Sequence, residues 1–224
     1  MKKIFALIVI VAMFTTNVNA QSKQYYNTRH EIGITVGAGA TSEILSGLAD
    51  ATSMLVSAAV SSVMTGGMAT GYYNYGDAKY IPTITAEYYY HVNKYIGLGG
   101  FVGFNGLNRD MYVNWNDNVN GTHHKEKSGE ATRRNLSIIP GAKIDWLRMK
   151  NFGLYSKAGV GVTFMYEHQK DDEANGLDYS DTTVIPNINL SLLGMEAGSE
   201  NIRGFIEMGF GEQGILLAGV KYKF

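Results

Sequence analysis

Eight stretches of this chain place apolar residues at every second position, the period of a β-strand whose two faces meet different surroundings. In the first, Glu31 to Gly39, Ile32, Ile34, Val36 and Ala38 oppose Gly33, Thr35, Gly37 and Gly39. The second, about Tyr80 to Val92, sets Ile84, Ala86, Tyr88 and Tyr90 against Thr83, Thr85, Glu87 and Tyr89. Asn93-Lys94 turns it into the third, where Ile96, Leu98, Val102 and Phe104 oppose Gly97, Gly99, Gly103 and Asn105. The fourth, Leu136 to Trp146, and the fifth, Leu154 to Tyr166, alternate against Ser137, Lys143, Asp145, Lys157, Gly159, Gly161 and Thr163. In the sixth Val184, Ile188, Leu190 and Leu192 oppose Asn187, Asn189 and Ser191, and in the seventh Ile206, Met208 and Phe210 oppose Phe205, Glu207 and Gly209. The last, Gly214 to Phe224, puts Leu216, Ala218, Val220, Tyr222 and Phe224 on one face and Gly219, Lys221 and Lys223 on the other.

One segment breaks the period. From Thr41 to Gly71, Ile44, Leu45, Leu48, Leu55, Val56, Ala59, Val60, Val63 and Met64 recur at three and four residues, which predicts an amphipathic helix within a long connection, lying on the mouth of the sheet or on a bilayer surface. A spanning helix is the alternative, opposed by Asp50 and the many hydroxyls. Asn108 to Arg134 reads as a long polar loop, Gln169 to Asp181 as an acidic loop and Glu212-Gln213 as a short one. Pro82, Pro140 and Pro186 fall inside strands, so bulges or shifted boundaries are expected there.

Eight strands joined in sequence predict an all-β fold, an antiparallel up-and-down sheet able to close into an eight-stranded barrel. A soluble, ligand-binding barrel would alternate in the same way, so other features must choose the solvent. Connections are long after strands one, three and five and short after two, four and six, as in transmembrane barrels. Apolar-face aromatics gather at strand ends, Tyr88, Tyr90, Trp146, Tyr222 and Phe224 toward the turns and Phe104, Phe164, Tyr166 and Phe210 toward the loops, predicting two membrane-interface girdles. Glycines crowd the polar face, as a narrow lumen requires. Glu87, Lys143, Asp145, Lys157, Arg203, Glu207, Lys221 and Lys223 then point inward, and a mixed-sign network in an occluded lumen is expected.

Composition sharpens this. Lys2 and Lys3, an apolar run from Ile4 to Phe14 and Val18-Asn19-Ala20 have the layout of a cleaved signal peptide over 1–20, followed by a short periplasmic lead over 21–30 and the barrel domain over 31–224. Without the signal, 17 basic residues stand against 20 acidic ones, which recommends no nucleic-acid partner. With no cysteine there is neither a disulfide nor a thiolate metal site. His30, His91, His123, His124 and His168 show no Ser-x-His or His-x-Ser spacing on a strand, so no catalytic residue, metal site or cofactor is expected.

The ending Gly219, Tyr222, Phe224 resembles the C-terminal signature of bacterial outer-membrane β-barrels. With the signal peptide and the strand pattern, the chain from Glu31 to Phe224 is similar to the small OmpX and OmpA-barrel family. The resemblance implies an outer-membrane location, assembly by the barrel-assembly machinery reading Gly219, Tyr222 and Phe224, contact with outer-membrane lipids and lipopolysaccharide, and a monomer. It also implies a structural or surface-interaction role, with an extracellular partner met through the outer loops. A barrel enzyme modifying lipid A or phospholipid, and a soluble periplasmic ligand-binding barrel, are the alternatives.

Overall fold

The computed structural model describes residues 28–171 and 178–224. The expected signal peptide, the lead through residue 27, and Asp172 and Glu173 of the acidic loop lie outside the described residues. The strands are β1 (His30–Ala38), β2 (Ala69–Tyr75), β3 (Lys79–His91), β4 (Ile96–Asp117), β5 (Thr122–Arg148), β6 (Phe152–Asp171), β7 (Tyr179–Gly198), β8 (Ile202–Phe210) and β9 (Leu216–Lys223); one helix, α1 (Thr41–Met64), follows β1.

All strands but β2 form a closed ring of eight antiparallel strands in sequence order, sealed by β1 on β9 and by β4 on β5. Ile34 registers with Ala86 on one side and Val220 on the other, so the first and last ring strands meet at the seam. The alternation is inverted relative to a water-soluble fold. Ile34 is 65% exposed and Ile32, Val36, Ile84, Leu98, Val102, Leu136, Ile138, Val160, Ile188, Ile206 and Val220 all face outward, whereas the Lys143 and Lys221 side chains are 0% and 1% exposed inside the ring. The buried apolar cluster is small, Tyr155, Phe205 and Leu217.

The ring is taller on one side. β4 to β7 continue past its rim, so the expected loop Asn108 to Arg134 is instead a β4–β5 hairpin paired through Asp117↔Thr122. Backbone pairing asks nothing of side-chain polarity, which is why a polar stretch could be read as a loop. β2 lies within and just beyond the end of the segment expected to be helical and pairs with β4 from Tyr75↔Met111 to Ala69↔Asp117, taking the place of β3 above the rim. The acidic loop is shortened from both sides, by β6 reaching Asp171 and β7 starting at Tyr179. Pro82 lies in a register shift between Ile81 and Ile84, and Pro186 lies where β7 has no β8 partner, both places that do not need its missing N–H.

α1 is long and apolar enough, by length and composition, to cross a membrane. It is fastened along its length to the rest of the chain. Ser42 meets Asn105 at the rim, and the Ser61 hydroxyl donates to Gly71 O at 2.6 Å and accepts from Gly71 N–H at 2.8 Å. Gly71 registers with Trp115, ten strand residues above Asn105. Nineteen helical residues rise about 29 Å and ten strand residues about 33 Å, so α1 runs along the extension.

Candidate functional site: the charged interior and its cap

Two chemically distinct layers fill the ring. The lower one is ionic and centres on Glu31, on the inward face of β1 two residues before Gly33. Its carboxylate accepts from Lys143 Nζ at 2.8 Å and Lys221 Nζ at 3.0 Å, with Lys223 Nζ at 3.4 Å. His91 Nε2 is 3.4 Å from Glu31 while its Nδ1 is 3.3 Å from Asp145. Glu196 is the second hub, 2.5 Å from Arg203 Nη1, 3.3 Å from Lys221 and 3.6 Å from Lys143, and paired with Lys223. Lys157 joins Glu87 at 2.6 Å to Glu207 at 2.5 Å. Tyr155 threads the layer, donating its hydroxyl to Glu207 at 2.7 Å and accepting from Lys221 at 3.1 Å, while Lys143 and Lys221 lie 4.1 and 4.2 Å from its ring centroid.

All eight charges singled out in the sequence stand in this layer: Glu87, Lys143, Asp145, Lys157, Arg203, Glu207, Lys221 and Lys223. Pattern reading missed Glu31, Glu196 and His91. Glu31 shares the face of Gly33 and Thr35, so the signal was available. Glu196 was hidden by a bulge between Ser191 and Leu193, which inserts a residue and reverses the alternation, bringing Gly194 and Glu196 to the face of Asn189 and Ser191. Space for these side chains is made by glycine: a Cβ on Gly33 would lie 2.9 Å from Glu87 Cγ, and one on Gly153 would lie 2.7 Å from Glu196 Oε1.

The upper layer is nearly neutral. The Glu212-Gln213 turn, expected to be an outer loop, folds inward, and its side chains are 0% and 1% exposed. Glu212 accepts from Ser42 Oγ at 2.6 Å, Asn105 Nδ2 at 2.7 Å, Asn187 Nδ2 at 2.9 Å and the Ser42 N–H at 3.3 Å. The last is a free backbone donor of the first turn of α1, whose N-cap, Ala40, has no side chain able to satisfy it. Gln213 closes the other half of the layer, accepting from Asn189 Nδ2 and donating to Thr85 Oγ1. Four good donors satisfy a buried carboxylate without a counter-ion.

Above the rim, Asp50 pairs with Arg109, whose guanidinium lies 3.6 Å from the Tyr75 ring centroid, and burial pushes the Arg109 pKa down to about 10. Arg133 Nη2 holds Glu167 at 2.6 Å; burial raises that carboxyl, but hydrogen bonds from Gln169 and Arg133 prevail and leave it below the usual carboxylate range.

On the outer face Tyr88, Tyr90, Tyr222 and Phe224 collect around His30: Phe224 stacks on His30 at 5.2 Å and on Tyr222 at 5.6 Å, and Tyr88 Oη is 2.8 Å from His30 Nδ1. Trp146 stands on β5, donating to Ser156 Oγ at 2.8 Å. Phe104, Leu136 and Phe164 register in a row across β4 to β6, with Tyr166 two residues above Phe164 and Phe210 facing out from β8. Gly219, of the terminal motif, registers with Thr35 and Phe205. His168 has Thr132 and Ser180 across from it on neighbouring strands, an adjacency no spacing within one strand could reveal, but no hydrogen bond joins it to either hydroxyl among the described residues. Among those residues no group of three or more histidines and carboxylates is placed to hold a metal ion.

The family models and the curated proteins searched contain no match to this chain.

Proposed function

We propose that this chain is a small integral outer-membrane β-barrel whose lumen is occluded and whose extension above the rim serves a structural or surface-interaction role. The carrying observation is the inversion: the aliphatic face of every ring strand points outward, and six carboxylates, five buried cations and Tyr155 lie inside. In water that arrangement would leave apolar surface uncovered all round the ring while desolvating many charges, the worst distribution of both. In lipid the same outer face is in its preferred solvent, and the closed ring leaves no free strand edge. A nine-residue strand such as β1 is about 30 Å long and, tilted near 40°, spans about 23 Å, close to the ~25 Å apolar band of such proteins. Aromatic groups at both ends of the band fit the two interfaces.

Occlusion is supported by the ion-pair layer and the polar cap above it, which together put Glu31, Lys143, Glu212 and Gln213 out of reach of water. The hairpin β4–β5 and the upper parts of β6 and β7 are the surface offered to the exterior.

Cell fractionation with heat-modifiable gel mobility tests the reading. A folded barrel is expected in the outer-membrane fraction, running faster unheated than after boiling; a chain recovered in the soluble periplasmic fraction would overturn it. Planar-bilayer recording tests the occlusion separately: large, reproducible single-channel steps would show an open lumen.

A further inference from the structure

We propose that the outward face of α1 is the surface by which two copies of this chain pair side by side, an inference that rests on the membrane reading above and replaces the monomer implied by the family resemblance.

α1 is amphipathic in the unusual sense. Its polar row, Ser42, Ser46, Asp50, Ser57, Ser61 and Thr65, is turned toward its own protein or its own backbone, where Ser42 meets Glu212, Asp50 meets Arg109, and Ser57 and Ser61 receive the Tyr73 and Gly71 N–H groups. What it shows to the outside is apolar: Leu48 is 61% exposed, Leu55 69% and Val63 81%, with Leu45, Val56 and Val60 beside them. From Ile44 to Met68 the only charged residue is Asp50, and that one is spent on Arg109. Exposed apolar patches of this kind mark a contact surface.

Two features choose the occupant. α1 begins at the rim, where the aliphatic belt ends, and rises about 29 Å along the extension, so most of its face stands beyond the belt that hydrocarbon would cover. Copies in one membrane also share one orientation. Two upright α1 helices therefore meet parallel, the same face on each, about a two-fold axis normal to the membrane. Leu45, Leu48, Thr52, Leu55 and Ala59 alternate at three and four residues, the seam of a parallel helix pair, with Thr52 and Ala59 small enough for close approach. Half the surface of a helix 36 Å long and ~11 Å wide is roughly 600 Å². Two such faces bury about 1,200 Å², above the ~1,000 Å² at which an interface becomes specific.

The native chain has no cysteine, so a single introduced thiol reports cleanly. Leu55→Cys, expressed in cells and treated with a short bismaleimide, should give a covalent dimer in the outer-membrane fraction, while Thr122→Cys at the β4–β5 hairpin tip should remain monomeric. Adding Leu48→Asn to Leu55→Cys should cut the dimer yield several-fold while the heat-modifiable folded band persists, separating lost pairing from lost folding. A Leu55→Cys chain that stays monomeric and reacts with a water-soluble maleimide would show a bare face. One that stays monomeric but protected would show cover by lipid, and one crosslinked to a different protein would show another partner; each of these overturns pairing. Membrane fractionation of a monomer would sink the pairing alone, whereas absence from the membrane fraction would sink the membrane reading and the pairing with it.

Discussion

Ser42 and Glu212, 170 residues apart, are joined by a 2.6 Å hydrogen bond that fixes the start of α1 to the turn between β8 and β9 inside the ring. The contact both caps a helix and closes the top of the interior. Glu212→Ala removes the acceptor for Asn105, Asn187 and both Ser42 donors, leaving buried donors unsatisfied. A loss of about 3 kcal/mol is expected in urea unfolding of the folded protein in detergent. Limited proteolysis should cut first within α1, with the ring fragment surviving. Unchanged protease resistance of α1 would show that the latch is not what holds it.

Glu31 is expected to be the most costly single interior position. Its removal leaves Lys143, Lys221 and Lys223 with Glu196, which also holds Arg203, as the one carboxylate common to all three. Breaking a buried ion pair from one side costs about 3–5 kcal/mol. Glu31→Ala should therefore unfold at markedly lower urea than Glu87→Ala, because three lysines and Arg203 are then left to share Glu196, whereas Lys157 keeps Glu207 when Glu87 is lost. Equal midpoints for the two variants would contradict the hub role.

The difference between those two glutamates also marks how far the sequence could be read. The ring strands, their order and the inward set including Glu87 and Lys157 follow from a period of two, which sterics impose on any strand with two unlike faces. What could not be read is whatever breaks that period or does not depend on it. Glu196 needed the Ser191–Leu193 bulge to be known. The β4–β5 hairpin above the rim carries only a short apolar alternation, Met111, Val113 and Trp115, in an otherwise polar stretch, and β2 is a seven-residue strand placed only by its partner β4. Glu212 looked like a loop residue because polarity at a turn ordinarily signals water; here four donors from three other elements replace the water. The helix was legible as a helix, but its orientation was not, since only tertiary partners show that its serines turn inward.

The Arg133–Glu167 pair, just above the upper aromatics, gives the extension a pH dependence. Glu167 is held below its ordinary value of 4.5, so its stabilising contribution is full above that pH and is lost as pH falls through the lower folded value. Hydrogen exchange of the Asn108 to Arg134 hairpin, corrected for intrinsic rates, should lose protection as pH falls below 4.5. Glu167→Gln should remove that difference. Identical acid behaviour of the wild type and this variant would assign the pH dependence elsewhere.

Phe224 is expected to matter for assembly more than for the finished ring. Its backbone exchanges both hydrogen bonds with His30, at 2.8 and 2.9 Å, and its ring stacks on His30 and Tyr222, so it joins the first and last ring strands at the closing seam. Phe224→Ala keeps the backbone pair and loses only the rings' contact, whereas deleting the residue loses both. Outer-membrane levels should fall in the order wild type, Phe224→Ala, deletion, measured by quantitative blotting of the heat-modifiable band. Levels unaffected by the deletion would remove the terminal strand's role in assembly.

A last comparison separates the two faces of one strand. Ile34 points outward at mid-strand, between Ala86 and Val220, and Thr35 beside it points inward to Thr85, their hydroxyls 2.5 Å apart. In lipid, a lysine at the midplane of the outer face costs about 2–4 kcal/mol, so Ile34→Lys should sharply reduce the folded, membrane-inserted fraction. Thr35→Val instead removes one hydroxyl from a hydrogen-bonded pair and costs about 1–2 kcal/mol without changing what the outer face meets. If the outer face met water, the order would invert: a lysine replacing an exposed isoleucine would be nearly neutral or would raise solubility. Refolding yields of the two variants into lipid vesicles, read by heat-modifiable mobility, therefore report the solvent of the outer face directly, and a higher yield for Ile34→Lys than for Thr35→Val would reject the membrane.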